Sequence, residues 1–227
     1  MKSRRVLRNA VGVVAMAIVV VVAAFATATA GPKGKGPKGP KGPKPPVEEP
    51  TTPPPTEDPT TPPEPEDLDA DDVQFVRMMI PHHHQAILMS ELAPGRASDP
   101  GVAALAERIL FEQGVEINTM QFWQQVQGLA ITDPSTAYEG MLDNPMMLEM
   151  MGMASRAEME QLAASSGAAY DRLFLELMIP HHEGAVRMLV NLATNGSDQF
   201  LAALGNDMMT AQSVQIWQME QMLATMG

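Results

Sequence analysis

The chain of 227 residues contains no cysteine. Disulfides therefore cannot brace it, thiolate metal sites are excluded, and so is cysteine catalysis. Any soft metal ligand has to be methionine, of which there are twenty. Basic residues are scarce as well: Val73 to Gly227 carries six, all arginine, against seventeen acids, a net charge near −11. That balance argues against nucleic acid as a partner and favours cations. Several catalytic signatures are missing too. There is no Gly-rich phosphate loop, no c-type haem motif and no H-E-x-x-H, and no glutamate stands three residues before a histidine as carboxylate-bridged di-iron sites require.

The N-terminus has a basic start (Lys2, Arg4, Arg5, Arg8), an apolar run from Ala10 to Ala26, and small residues at Ala26, Ala28 and Ala30. This pattern predicts an export signal over residues 1–30, cut after Ala28 or Ala30; an uncleaved anchor is the alternative, and the one route to a membrane. No later segment has the ~20 consecutive apolar residues of a bilayer span. Residues 31–72 hold Gly-Pro-Lys repeats with five lysines, then a Pro/Thr/Glu stretch with ten acids, and almost no bulky apolar side chain. Such a segment cannot bury a core and is expected to be a disordered or polyproline-like tether. Residues 73–227 are enough for one domain.

Only five histidines occur, and all lie in two copies of one motif, "MMIPHHHQAILM" (Met78 to Met89) and "LMIPHHEGAVRM" (Leu177 to Met188). At an offset of 99 the halves align without a gap: Asp72 on Asp171, Phe75 on Phe174, Pro81 on Pro180, His82 and His83 on His181 and His182. The register runs on through Asp99 and Asp198, Gln113 and Gln212, Ile117 and Ile216, and Met120 and Met219. Each half is thus the same two-element unit.

Apolar residues recur at steps of three and four in both elements, which predicts four helices over about 72–93, 100–127, 168–194 and 198–225. Asp99 and Asp198 follow Gly- or Pro-rich breaks and suit N-caps, with Pro100 fit for a first helical turn. Pro81 and Pro180 fall inside the histidine helices, where each is expected to kink the helix and free a carbonyl near Arg77 or Glu176. Two such hairpins bury their stripes by pairing into a four-helix bundle. The long Met-rich connection between them is expected to hold one short helix from about Asn144 to Ser165.

On a helix, residues three and four apart share a face, so Met79 sits with His82 and His83, and Met178 with His181 and His182. Met120 and Met219 on the second helices are placed to approach the same region. Imidazole suits copper, zinc, iron and nickel, whereas thioether without thiolate selects copper, above all Cu(I). His84 faces Glu183 in the repeat and is either an auxiliary ligand or an exposed residue. Glu112, Glu116, Gln113 and Gln212 are candidates to orient the imidazoles. Methionine ordinarily fills core gaps, but five between Met146 and Met153 exceed the needs of a buried stripe.

The two histidine blocks and the paired stretches Gln113 to Met120 and Gln212 to Met219 resemble the bacterial domain-of-unknown-function 305 family over residues 71–226. The resemblance implies a ferritin-like four-helix bundle in an exported or envelope-anchored protein, and some relatives, of the CopM type, are periplasmic copper binders. Carried over by position, the matching residues are Met79, His82, His83, Met178, His181 and His182. The expectation is an all-α, non-enzymatic protein that sequesters copper, as Cu(I) or Cu(II), or hands it to another copper-handling protein. The alternative is a structural or interaction module of the cell envelope, with the histidines as core hydrogen-bonders.

Overall fold

The computed structural model describes residues 68–226, so the expected signal and most of the tether lie outside the described residues. The described residues form seven helices and no strand. Four are long: α1 (Ala70–Glu91), α2 (Pro100–Val126), α6 (Ala168–Asn195) and α7 (Gln199–Thr225). The bounds of α2, moved by the 99-residue offset, coincide with those of α7.

Local chemistry sets the starts. The Asp69 side chain accepts from the Asp71 amide (2.8 Å) at the head of α1. Asp99 accepts from Gly101 and Val102 with Pro100 in the first turn of α2, and Asp198 accepts from Leu201 at the head of α7. These side chains satisfy amides that have no partner inside a helix. Both α1 and α6 run unbroken through Pro81 and Pro180.

The connection differs from the expected single helix. It holds three: α3 (Pro134–Met141), α4 (Pro145–Met151) and α5 (Arg156–Ala164). Asp133-Pro134 and Asn144-Pro145 each supply a cap followed by a proline in the first turn. Gly152 ends α4 in the left-handed conformation (φ 67°), which is strained for a residue with a Cβ. Ser155 and Glu158 then form a reciprocal capping box that starts α5. The expected single helix from about Asn144 to Ser165 therefore spans both α4 and α5, which Gly152 separates, and leaves out α3.

Helix α1 packs on α2, α6 packs on α7, and α1 and α6 face each other across the halves. They run antiparallel, since Tyr170 at the start of α6 donates to the Met89 carbonyl near the end of α1 (3.1 Å). Aspartates from each half fix the other. Asp72 on α1 accepts from the Ser197 and Asp198 amides (3.0 and 2.8 Å) and the Ser197 hydroxyl. Asp171 on α6 does the same for Ser98 and Asp99. Two apolar clusters flank the middle of the bundle, one including Met89, Leu105, Phe174, Met178 and Met219, the other Phe75, Met79, Ile117, Met120 and Leu201. A third, smaller one, with Tyr138, Leu148, Met151 and Met153, seats the connection.

The candidate metal centre

His82, His83, His181 and His182 are all fully buried, and they meet at the centre of the bundle. The His82 and His181 rings lie with centroids 3.7 Å apart, and His83 and His182 flank them at 6.3 and 6.0 Å from their own neighbours. Consecutive helical residues point about 100° apart, so two adjacent imidazoles can face inward while a third cannot. His84 accordingly lies outside this layer, half-buried and edge-on to Tyr138 at 5.8 Å.

Each of the four buried rings uses Nε2 against an oxygen. His82 reaches the Met151 carbonyl (3.0 Å), His181 the His82 carbonyl (2.9 Å), His83 the Glu116 carboxylate (2.7 Å), and His182 the Gln215 amide oxygen (2.7 Å). The last acceptor is oriented by its own amide nitrogen, which donates to Glu112 (2.6 Å). A carbonyl or carboxylate only accepts, so each neutral imidazole carries its proton on Nε2 and leaves a lone pair on Nδ1. All four Nδ1 atoms are buried without a hydrogen-bond partner. The Met178 carbonyl approaches His182 and favours its protonated form, but outside hydrogen-bond geometry.

Burial keeps His82, His181 and His182 neutral. His82 is pushed down to about 3 and His182 to about 4, in each case chiefly because a charged ring would be desolvated. His181 is held well below the ordinary histidine value by burial and then by the neighbouring histidines. His84 is also lowered, mainly by burial. A buried imidazole with one nitrogen anchored to an oxygen and the other presenting a lone pair is the form in which histidine ligates a metal.

The four candidate thioethers are fully buried. Met79 and Met120 share one apolar cluster, Met178 and Met219 the other. Met79 is one helical turn from His83 and Met178 one turn from His182, on the same faces. Among the described residues no three His, Asp or Glu side chains stand close enough to hold one ion. As donor types, imidazole and thioether without thiolate suit a soft monovalent ion.

Of the expected orienting residues, Glu116 bonds His83 directly and Glu112 acts through Gln215. Gln113 and Gln212 are buried, and neither has a partner for its amide oxygen. Sequence reading passed over Gln215, although it stands 99 residues after Glu116 and the repeat therefore points to it. It also passed over Gln85, which ties the connection down through Ala154 and Tyr138.

A profile of the family "Domain of unknown function (DUF305)" matches residues 72–223. Among solved structures, a DUF305 fragment from Deinococcus radiodurans is 29% identical, with a TM-score of 0.61 over 70% of this chain and 98% of that one. CopM in its Cu(I)-bound form is 32% identical, with a TM-score of 0.54 over 68% of this chain and 96% of that one; its Cu(II)-bound form aligns similarly. Among curated proteins, "Uncharacterized protein L153" of Acanthamoeba polyphaga mimivirus is 46% identical over 50 residues, which span 22% of this chain and 33% of that one. With its duplicated helical hairpins and a profile match across nearly the whole described bundle, this chain belongs to the DUF305 family.

Proposed function

We propose that this protein is an exported, non-enzymatic copper carrier that holds Cu(I) in the histidine layer between its two halves. The observation that carries the reading is the set of four buried Nδ1 atoms without a hydrogen-bond partner, on rings whose Nε2 is in each case anchored to an oxygen. Leaving buried polar atoms unpaired costs free energy of about 1–3 kcal/mol each. Their placement in equivalent positions of both halves supports a purpose beyond packing. Methionines one turn away supply the soft donors, and the copper-bound forms of CopM support the choice of ion. The N-terminal pattern of a basic start, an apolar run and small residues supports export.

Copper is cargo in this reading. The chain's own residues accept it through imidazole nitrogens, keep water away from it, and hold the rings in place through Glu116, Gln215 and the Met151 carbonyl.

The test is a Cu(I) competition titration against a coloured chelator, with two pair variants, His82→Leu/His181→Leu and His83→Leu/His182→Leu. Leucine preserves volume and cannot ligate. Tight binding lost in either pair, with helix content retained, is the expected result. Binding equal to wild type in both pairs would overturn the reading.

A second reading, an interaction module, draws on the exposed Phe111, Val115, Phe122 and Val126, which stand at helical spacing on one side of α2. It would take the lead if no ion loads.

A further inference from the structure

The histidine layer leaves one sequence feature unused, the methionine density of the connection. Helix α4 lies against α6, and the groove between α4, α1 and α6, about 270 Å³, is lined by Met78, Met150, Met151 and Met188. Four methionines from three helices therefore line one opening. Core filling explains Met151, which is 2% exposed, but not Met150, which is 65% exposed on the rim. An unbranched apolar side chain held in water on a helix gains nothing from packing.

Met151 links the groove to the histidine layer. It lines the groove, and its carbonyl accepts from His82 Nε2 at 3.0 Å. The end of α4 is seated firmly there: a Cβ on Gly184 would come within 1.7 Å of the Met151 carbonyl oxygen, and one on Gly152 within 1.9 Å of the Pro180 oxygen. Only glycine permits that approach.

We infer that this groove is a second metal site, a thioether site for a soft monovalent cation, Cu(I) or Ag(I), lying outside the histidine layer and joined to it through Met151. The inference deepens the copper reading and rests on it for the identity of the cargo. Thioether donors bind soft monovalent ions and have little affinity for zinc or other harder divalent ions. They also do not titrate, so the site holds its ligands ready at any pH. Arg187 lines the same groove and donates to the Met150 carbonyl (3.1 Å). Its positive charge opposes a bound cation, which makes this the weaker of the two sites and suits it to passing an ion on.

The experiment is a titration of the protein, carrying 13C-labelled methionine methyls, with Ag(I) as a redox-silent probe, followed by NMR. Wild type should take up one equivalent beyond that of the histidine layer, with the Met78, Met150, Met151 and Met188 methyls shifting together. The Met78→Leu/Met150→Leu/Met188→Leu variant should lose that equivalent and keep the tighter one. In the His82→Leu/His181→Leu variant the methyl shifts should persist, so failure of the histidine site is read separately from failure of the groove. Arg187→Gln should tighten the weaker site by up to roughly tenfold, the scale of one screened like-charge repulsion. Unmoved groove methyls at saturating Ag(I), or an unchanged stoichiometry in the triple methionine variant, would overturn the inference.

Discussion

Acid should destabilise the metal-free bundle through its histidines before the carboxylates begin to titrate. The unfolded chain binds a proton at each histidine near pH ~6.5. In the folded state His82 does so only at about 3 and His182 at about 4. Because the folded values lie below the unfolded one, the stabilisation is fully present above pH ~6.5 and is lost as pH falls toward the folded values. At pH ~5 the unfolded state gains about 1.5 units of protonation free energy per group that the folded state does not match, or roughly 2 kcal/mol. The two groups together give about 4 kcal/mol, a large part of the ~5–15 kcal/mol that holds a typical domain. His181 acts in the same direction. Urea unfolding followed by circular dichroism at pH ~7 and pH ~5 reads this directly. The His82→Leu/His182→Leu variant, whatever its absolute stability, should show a slope flatter by that amount. A wild-type midpoint that stays constant across the interval, or a variant with an undiminished slope, would refute the assignment of these rings as buried and neutral.

Other expectations concern the supports of the layer. Gln215→Leu removes the acceptor that holds His182 Nε2 and should weaken Cu(I) binding about 10–100-fold, as loss of an orienting partner does, with helix content unchanged. Gly184→Ala forces α4 off α6 and should cost about 1–3 kcal/mol in urea unfolding, with the Met151 methyl resonance displaced. Asp171→Ala strips the acceptor from the Ser98 and Asp99 amides and should cost about 2–3 kcal/mol, and Asp72→Ala should cost a similar amount through Ser197 and Asp198.

The four long helices were legible because apolar spacing and caps agreed. Asp99 and Asp198 cap where the breaks predicted them, and the 99-residue register extends to the helix bounds. The histidine pairs were legible from their duplication. What the sequence did not disclose was long-range. The hydrogen bond from His82 to Met151 spans 69 residues and that from Gln215 to Glu112 spans 103, and no periodicity encodes such partners. The acid sensitivity was hidden for the same reason. A histidine read in isolation titrates near pH ~6.5, and only its packing shows otherwise. The expected kinks leave α1 and α6 continuous, and the expected start at Asn144 is the N-cap of α4, whereas Gly152 is a stop that an apolar pattern passes over and α3 a helix it leaves out.

The exchanged aspartates carry a consequence for ancestry. Asp72 serves the turn of the second hairpin and Asp171 the turn of the first, so neither hairpin contains the group that finishes its own loop. Severed at the connection, each half would present a bare carboxylate and an unsatisfied turn, a self-complementary pair of ends. Two copies of one such hairpin would satisfy both by docking around a two-fold axis, with the neighbouring rings of His82 and His181 at that axis as the same histidine met twice. The present chain has the form of such a dimer after gene fusion. Within one chain the two copies need not be identical: Glu116 stands opposite Gln215 and Gln85 opposite Gly184 in the repeat, and the connection bonds His82 and Gln85 of the first half.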